Sequence, residues 1–288
     1  MTKTLVTGAT GTVGSHVVRA LRANGLDVRA GARDPQKLTD LAGLGAETVR
    51  LDFDQPATLA EAFAGVTRVF LLTPFVEDDR PLVQAGLAAA KEAGVEFVLR
   101  MSAAGADPNA EAELPKHHGQ NEEAVKSSGL AWAIIRPNFF QDNYVNYNAA
   151  SIKAQGAFYG AGGDGKVSYV SAADIAAAAA AILADPAAHG AQTYVLTGPE
   201  ALSDGDGATL LSELLGRKVE FVNLSSDDLG AGLRSQGMPA WQVASLQYLE
   251  NVKAQGWAAA VSPAVEQLTG RAPETMRAFL ERNRAAFL

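Results

Sequence analysis

The segment Thr7-Gly8-Ala9-Thr10-Gly11-Thr12-Val13-Gly14 constrains this chain more than any other stretch. It follows a short β-branched run, and after it Val13, Val17, Val18 and Leu21 recur at helical spacing. Glycines between a strand and a helix make a tight turn without Cβ atoms, so a pyrophosphate can approach the backbone. The helix end behind the turn supplies unpaired N–H groups and the positive pole of its dipole. On this reading Gly8, Gly11 and Thr12, with Thr10 and Val13 beside them, line the phosphates, and Gly14 lets the helix pack against the sheet. Glycine also builds plain turns, so the motif draws its force from what surrounds it.

Strand-like runs recur at Thr4 to Thr7, Val28 to Ala30, Thr48 to Leu51, Val69 to Leu72, Phe97 to Met101 and Trp132 to Ile135. Helical stretches separate them, and Gly25, Gly94 and Gly129 close three of those stretches. Such alternation predicts an α/β fold, a Rossmann-like doubly wound parallel sheet covered on both faces. After Pro137 the alternation weakens, Gly160 to Gly165 forms a glycine-dense turn, and helical patterning dominates from Ser225 onward. The expected organisation is a dinucleotide-binding domain over 1–155 and a smaller, mostly helical, substrate-facing portion over 156–288, some of whose segments return to the first domain. Ile175 to Ala184 reads as a buried Ala-rich helix and Pro273 to Leu288 as one amphipathic helix.

Composition removes several classes of function. With 24 Lys+Arg against 32 Asp+Glu the net charge is -8, which argues against a nucleic-acid partner. No cysteine is present, so disulfides, thiolate zinc sites, iron–sulfur clusters and cysteine nucleophiles are excluded together. The apolar runs are too short to span a bilayer and the first residues do not read as a signal peptide, so a cytoplasmic protein without a membrane partner is expected, as monomer or homodimer. Gly160 to Lys166 matches a P-loop only formally, because Val167 stands where the magnesium-holding Ser/Thr belongs.

The glycine spacing is G-x-x-G-x-x-G, and here the chain resembles the extended and atypical branches of the short-chain dehydrogenase/reductase superfamily. The second strand ends in Gly31-Ala32-Arg33, where an NAD site carries an acidic residue; Arg33 suits a 2'-phosphate, so NADP(H) is expected over NAD(H). Asp34 and Pro35 read equally as the start of a helix. The resemblance places Asp52 and Phe53 beside the adenine, while Asp54 reads as a cap for a helix starting near Pro56. Thr73, Pro74 and Phe75 after the fourth strand, and Ser102 after the fifth, stand at carboxyl ends of strands, where ligands of open sheets bind.

No tyrosine here is followed four residues later by lysine, the pair most of the superfamily uses. Aligned on that pattern, Leu114 takes the tyrosine position and His118 the lysine position, four residues before Glu122. His118-x-x-x-Glu122, then Gly129-Leu130-Ala131-Trp132-Ala133-Ile134-Ile135-Arg136-Pro137-Asn138-Phe139-Phe140, and later Val170-Ser171-Ala172-Ala173-Asp174 and Tyr194-Val195-Leu196-Thr197-Gly198-Pro199 are similar to the NmrA-like branch over nearly the whole chain. That branch holds NADPH-dependent quinone reductases, triphenylmethane-dye reductases and silent NADP-sensing regulators. The resemblance implies an NADPH-dependent oxidoreductase passing hydride to a flat conjugated acceptor, with a non-catalytic NADP(H) sensor bound to a protein partner as the alternative. It makes His118 and Asn138 candidate catalytic residues, places Pro137, Asn138 and Phe139 with His118 at the cofactor, and offers Phe75, Phe140, Asn143 and Tyr144 as substrate wall. Against these stand plainer readings: His118 and Glu122 as an i, i+4 pair, His117 as an exposed bystander, Phe139 and Phe140 as core. A metal site is not expected, since only His118 and Glu122 share a face.

Overall fold

In the computed structural model, which describes residues 2–288, the chain begins β1 (Lys3–Val6), α1 (Thr12–Ala23), β2 (Asp27–Ala32), α2 (Thr39–Gly43), β3 (Glu47–Arg50), α3 (Pro56–Phe63), β4 (Arg68–Leu71), α4 (Arg80–Glu92), β5 (Phe97–Met101), α5 (Glu113–Lys126) and β6 (Ala131–Pro137). It continues α6 (Ala149–Gln155), β7 (Ala157–Gly160), α7 (Ala172–Ala184), β8 (Gln192–Leu196), α8 (Asp204–Leu215), β9 (Glu220–Asn223), α9 (Ser226–Ser235), α10 (Ala240–Ala254), α11 (Ala264–Thr269) and α12 (Met276–Arg282). Two units share these elements, the first formed by residues up to Pro137, Ala172–Val195 and Leu268–Gly270, the second by the rest. The chain leaves the first unit after Pro137, earlier than the expected cut at 155.

Seven strands form one sheet in the order β3-β2-β1-β4-β5-β6-β8. The pairings from β3 to β6 are parallel, with Val6 opposite Ala30 on one side and Phe70 on the other. The order reverses between β1 and β4, which opens a crevice at their carboxyl ends. All six expected strands are present; the seventh, β8, joins after a long excursion. Helix α1 buries Val13, Val17, Val18 and Leu21 on one stripe and stops at Asn24, followed by Gly25 at φ 73. The Ala-rich α7 lies against α1, and its small side chains permit that close approach. On the other side Leu59, Phe63, Val83, Leu87 and Val125, from α3, α4 and α5, pack with Leu5, Val69 and Val98 of the sheet. Residues of β5 are buried throughout, including Arg100.

Within the second unit, β7 and β9 pair in parallel, and Tyr144, Ile152, Phe158, Leu211, Phe279 and Phe287 build the core. The glycine-dense turn is a packing device. A Cβ on Gly165 would lie 1.9 Å from the Lys253 carbonyl oxygen, and one on Gly162 would lie 3.0 Å from the Lys253 side chain, so the turn hugs α10. Val167 and Val170 each make an isolated bridge, to Leu202 and Phe140, and the C-terminus is a short α12 followed by a 3-10 turn at Arg284–Phe287 instead of one helix. Among the described residues no helix is long and apolar enough to cross a membrane, and no group of three or more His, Asp or Glu residues could hold a metal ion.

Candidate active site

At the reversal point the Thr7 to Gly14 turn is pinned to both neighbouring strands. Thr7 N donates to Phe70 O at 3.1 Å and Thr7 Oγ1 to Leu72 O at 2.7 Å, while Ala9 N donates to Gly31 O at 3.1 Å. Gly8 sits at φ +66 with Leu72 directly behind it. A Cβ on Gly14 would lie 2.2 Å from the Gly8 carbonyl oxygen, so only glycine lets α1 start this close to the turn. Gly11 caps α1 in an extended conformation with no side-chain bond to the helix end, and Thr10, Gly11 and Thr12 are exposed. A helix start in general leaves its first N–H groups without intrahelical acceptors and with the positive end of the dipole, which suits an anion. These residues fit a pyrophosphate. Val13 differs from expectation, since its side chain is buried in the core and only its backbone N–H is on offer.

At the end of β2 Arg33 is exposed, and Asp34 caps the following 3-10 turn, accepting from Gln36 N at 3.1 Å. Asp52 is occupied by its own turn: its carboxylate accepts from Asp54 N at 3.2 Å and from Gln55 Nε2 at 3.1 Å. Asp54 does not cap α3, whose N-cap Gln55 makes no side-chain bond to the helix end. Phe53 is half-buried against the first unit's core, and Pro74 and Phe75 are exposed.

Between β5–β6 and helices α4–α5 lies a buried polar layer that the sequence reading did not single out. Arg100 Nη2 donates to Asp79 Oδ2 at 2.9 Å and Nη1 to Thr73 Oγ1 at 3.0 Å; Thr73 Oγ1 donates to Asp79 Oδ2 at 2.6 Å, and Asn121 Nδ2 to Asp79 Oδ1 at 2.7 Å. Beside this knot Glu122 receives Ser102 Oγ at 2.7 Å and both Arg136 Nε and Nη2, at 2.7 and 2.6 Å. Burial disfavours both carboxylates, but the cations and hydroxyls aimed at them prevail and hold Asp79 and Glu122 below the usual carboxylate range. One signal was present in the sequence: a single arginine inside the otherwise apolar run Phe97-Val98-Leu99-Arg100-Met101.

His118 stands one helical turn before Asn121 and Glu122 on α5. Glu122 is bound to Arg136 and Ser102, so the expected His118–Glu122 pair does not form. The His118 ring is partly exposed, yet its Nδ1 is buried without a hydrogen-bond partner. Burial first, and then the Arg100 guanidinium, push the imidazole down to about 4, leaving it neutral at neutral pH. His117 is buried rather than exposed, with Nε2 2.8 Å from Glu113 Oε2.

Other candidates are committed elsewhere. Ser102 is buried with its hydroxyl proton on Glu122, and Pro137 is buried with its carbonyl accepting from Ala104 N at 2.9 Å. In the second unit both amide hydrogens of Asn138 are spent at 2.8 Å, on Ser168 Oγ and Ala258 O, which makes Asn138 a structural tie and removes it as a catalytic donor. Phe139 lies edge-on to Tyr169 and under Lys253 Nζ, and Phe140 bridges to Val170. Asn143 N donates to Phe140 O. Tyr144 is no wall residue: only 2% exposed, it packs on Phe158 and donates to Asp204 Oδ1. Asp204 also receives Tyr169 at 2.7 Å and Lys253 at 3.2 Å, a buried ionic knot for which the sequence carried no signal.

A doubly wound parallel sheet with a glycine-only turn at its reversal point defines a dinucleotide-binding protein of the Rossmann type. The NAD(P)H-binding family profile matches residues 8–186. Over 283 residues, 98% of either chain, the sequence is 37% identical to an NAD(P)H azoreductase of Xenophilus azovorans. The structure superposes on an NADPH-dependent quinone oxidoreductase of Escherichia coli complexed with NADPH, with TM-score 0.87, 29% identity, and 98% of this chain and 99% of that one covered. It also superposes on the Citrobacter sp. triphenylmethane reductase complexed with NADP(H), with TM-score 0.85, 25% identity, and 97% and 99% covered. The chain belongs to the NAD(P)H-binding family, in the NmrA-like atypical branch of the short-chain dehydrogenase/reductase superfamily.

Proposed function

We propose that this protein is an NADPH-dependent reductase that passes a hydride to a flat, conjugated acceptor such as a quinone, an azo dye or a triphenylmethane dye. The observation that carries the reading is the Gly8–Gly14 contact: a turn closed to any side chain, at the head of a chain alike from end to end to an NAD(P)H azoreductase. Backbone N–H groups in the first turn of α1, that of Val13 among them, hold the pyrophosphate, and the exposed Arg33 guanidinium pairs with a 2'-phosphate, which favours NADPH over NADH. The bound nicotinamide supplies the hydride. The residues at the carboxyl ends of β4 and β5 hold the reacting groups in register and carry no acid poised to ionise near neutrality, which suits acceptors whose reduced anion is delocalised and takes its proton from water afterwards.

Stopped-flow oxidation of NADPH, with NADH in parallel, against a panel of quinones, azo dyes and triphenylmethane dyes tests this. Expected are turnover with at least one acceptor and a kcat/KM at least about tenfold higher with NADPH, the worth of one charge-assisted contact. Tight NADPH binding with no oxidation by any acceptor overturns the reading.

A further inference from the structure

Three neighbouring elements of the first unit converge on one carboxylate, that of Asp79, in the segment before α4. Its Oδ2 receives Thr73 Oγ1 from the end of β4 at 2.6 Å and Arg100 Nη2 from β5 at 2.9 Å, and its Oδ1 receives Asn121 Nδ2 from α5 at 2.7 Å. The Thr73–Asp79 bond closes the base of the loop that runs from β4 to α4. A second tie holds the exit: Arg80 grips Asp78 with Nε and Nη2, at 2.7 and 2.8 Å, and gives Nη1 to Gln120 Oε1 of α5 at 2.7 Å. Between these anchors Pro74 to Glu77 are exposed, Phe75 by 53% and Val76 by 39%. The loop starts beside the glycine turn, because Leu72, the residue before Thr73, exchanges hydrogen bonds with Thr7 and stands behind Gly8. A short surface loop with a buried, cross-linked base and an apolar exposed tip is a form that binding loops take.

Stability alone does not account for an ion pair at that base. Arg100 is 1% exposed, lies in a strand otherwise made of Phe97, Val98, Leu99 and Met101, and keeps a buried Nε without a partner. Taking both charges out of water costs about as much as their attraction returns, and well-packed apolar residues of similar volume often serve a fold as well or better. What apolar residues cannot do is fix one geometry. Here a carboxylate accepts at two oxygens, and its three donors stand on elements that cannot slide without breaking a bond. We propose that Asp79 is a positioning residue for the hydride acceptor: it latches the 73–79 loop so that Phe75 and Val76 stand at the mouth of the crevice between β1 and β4 as an apolar wall for a flat conjugated molecule. The identity of that molecule rests on the reductase reading; the latch does not. A ring lying on Phe75 gains stacking and dispersion in full only where the loop is already held, since a loop that has to be ordered on binding loses affinity to the lost freedom.

The test uses the full chain and a variant that removes the latch without leaving a buried charge behind, Arg100→Met with Asp79→Leu. Chymotrypsin under native conditions reads the loop: cleavage after Phe75, identified by the mass of the N-terminal fragment, should be at least about tenfold faster in the variant, since a native chain is cut where it opens locally. Steady-state reduction of the same quinones and dyes reads the wall. The double change should lower kcat/KM for the acceptor about tenfold while the Kd for NADPH stays within about threefold. Phe75→Ala alone should show a similar loss, and adding the double change to Phe75→Ala should cost less than about threefold more, because the latch acts through Phe75. Losses that multiply in the combined variant, or cleavage after Phe75 no faster than in the parent, overturn the proposal; a pair that served the fold alone would lower Tm and leave the two effects independent. Should the double change not fold, Asn121→Ala, which takes one donor from Asp79 and leaves its ion pair with Arg100, carries the same cycle, with cleavage about threefold faster. If the parent reduces no acceptor, the reductase reading fails and the wall with it, while the cleavage rate still decides whether Asp79 holds the loop.

Discussion

Gly14→Ala isolates the contact on which the dinucleotide site depends. The φ of Gly14 lies outside the left-handed region, so alanine is permitted by the backbone, and in a helix interior it is favoured by about 1 kcal/mol. Against that gain stands a Cβ placed 2.2 Å from the Gly8 carbonyl oxygen and 2.8 Å from its carbon, where ordinary contact begins at 3.4 Å. Both neighbours are backbone, Gly8 is backed by Leu72, and Ala9 is tied to Gly31, so the turn or the whole of α1 has to move by about 1 Å. Overpacking of this kind costs about 1–3 kcal/mol. The net expectation is a loss of up to about 2 kcal/mol, seen as a Tm lower by up to about 3 °C. Displacing the start of α1 and its N–H groups by this much is expected to weaken NADPH binding by about 10²-fold, since misplacement of about 1 Å in a positioned site has effects of that size. Gly11→Ala is the control: its Cβ meets only Gly8 O at 3.3 Å on an exposed rim, so Tm holds while affinity falls. Calorimetric unfolding and fluorescence titration with NADPH read both quantities, and a Gly14→Ala protein with unchanged Tm and unchanged affinity would refute the reasoning.

Two further outcomes follow from side chains. Arg33→Ala should raise the Kd for NADPH by about 10- to 100-fold and leave that for NADH within about threefold, because only the 2'-phosphate loses a charge-assisted partner; isothermal titration with both nucleotides checks it. Glu122→Gln removes the charge that Arg136 and Ser102 converge on, and with Arg136 a quarter exposed the loss should be about 2–3 kcal/mol in chemical denaturation. The folded-state pKa of Glu122 and of Asp79 lies below the unfolded value, so their stabilisation is complete above the ordinary carboxylate range and disappears as pH falls through the folded value. Tm should therefore be level between pH 7 and 5 and decline below the ordinary glutamate value of 4.5, less steeply in Glu122→Gln.

The sequence was readable where one local rule decides the outcome. Gly8, Gly11 and Gly14 mark a strand-to-helix turn because nothing with a side chain can stand there, and the β-branched runs before Gly31 and Ser102 can hardly be anything but buried parallel strands. It misled where a residue's partner is distant. Tyr144 and Asn138 look like ligand-facing polar groups at a strand end, but Asp204, Ser168 and Ala258 reach them from far along the chain and turn them inward. His118 and Glu122 have the spacing of a helix pair, yet Arg136, on the strand that follows, takes the carboxylate by a two-pronged contact that a neutral imidazole cannot match. Arg100 carried a visible signal, a charge within a buried strand, whose meaning emerges only with Asp79 and Thr73 beside it. The glycines at 160–165 imitate a phosphate loop because close contact with a helix and close contact with a phosphate ask the same thing of a residue: no Cβ.

The excursion between β6 and β8 has a consequence for how the chain is made. During synthesis β6 emerges as an open sheet edge, and the face of α1 that receives α7 is bare, until residues 172–195 have left the ribosome. Parallel strands with an uncovered edge are the stage at which chains pair with the wrong neighbour. The first unit therefore cannot be finished in the order in which it is translated: its last strand is delivered from beyond a stretch that belongs to the other unit, and a fragment ending at Pro137 would retain the whole glycine turn while lacking the strand and helix that close the sheet around it.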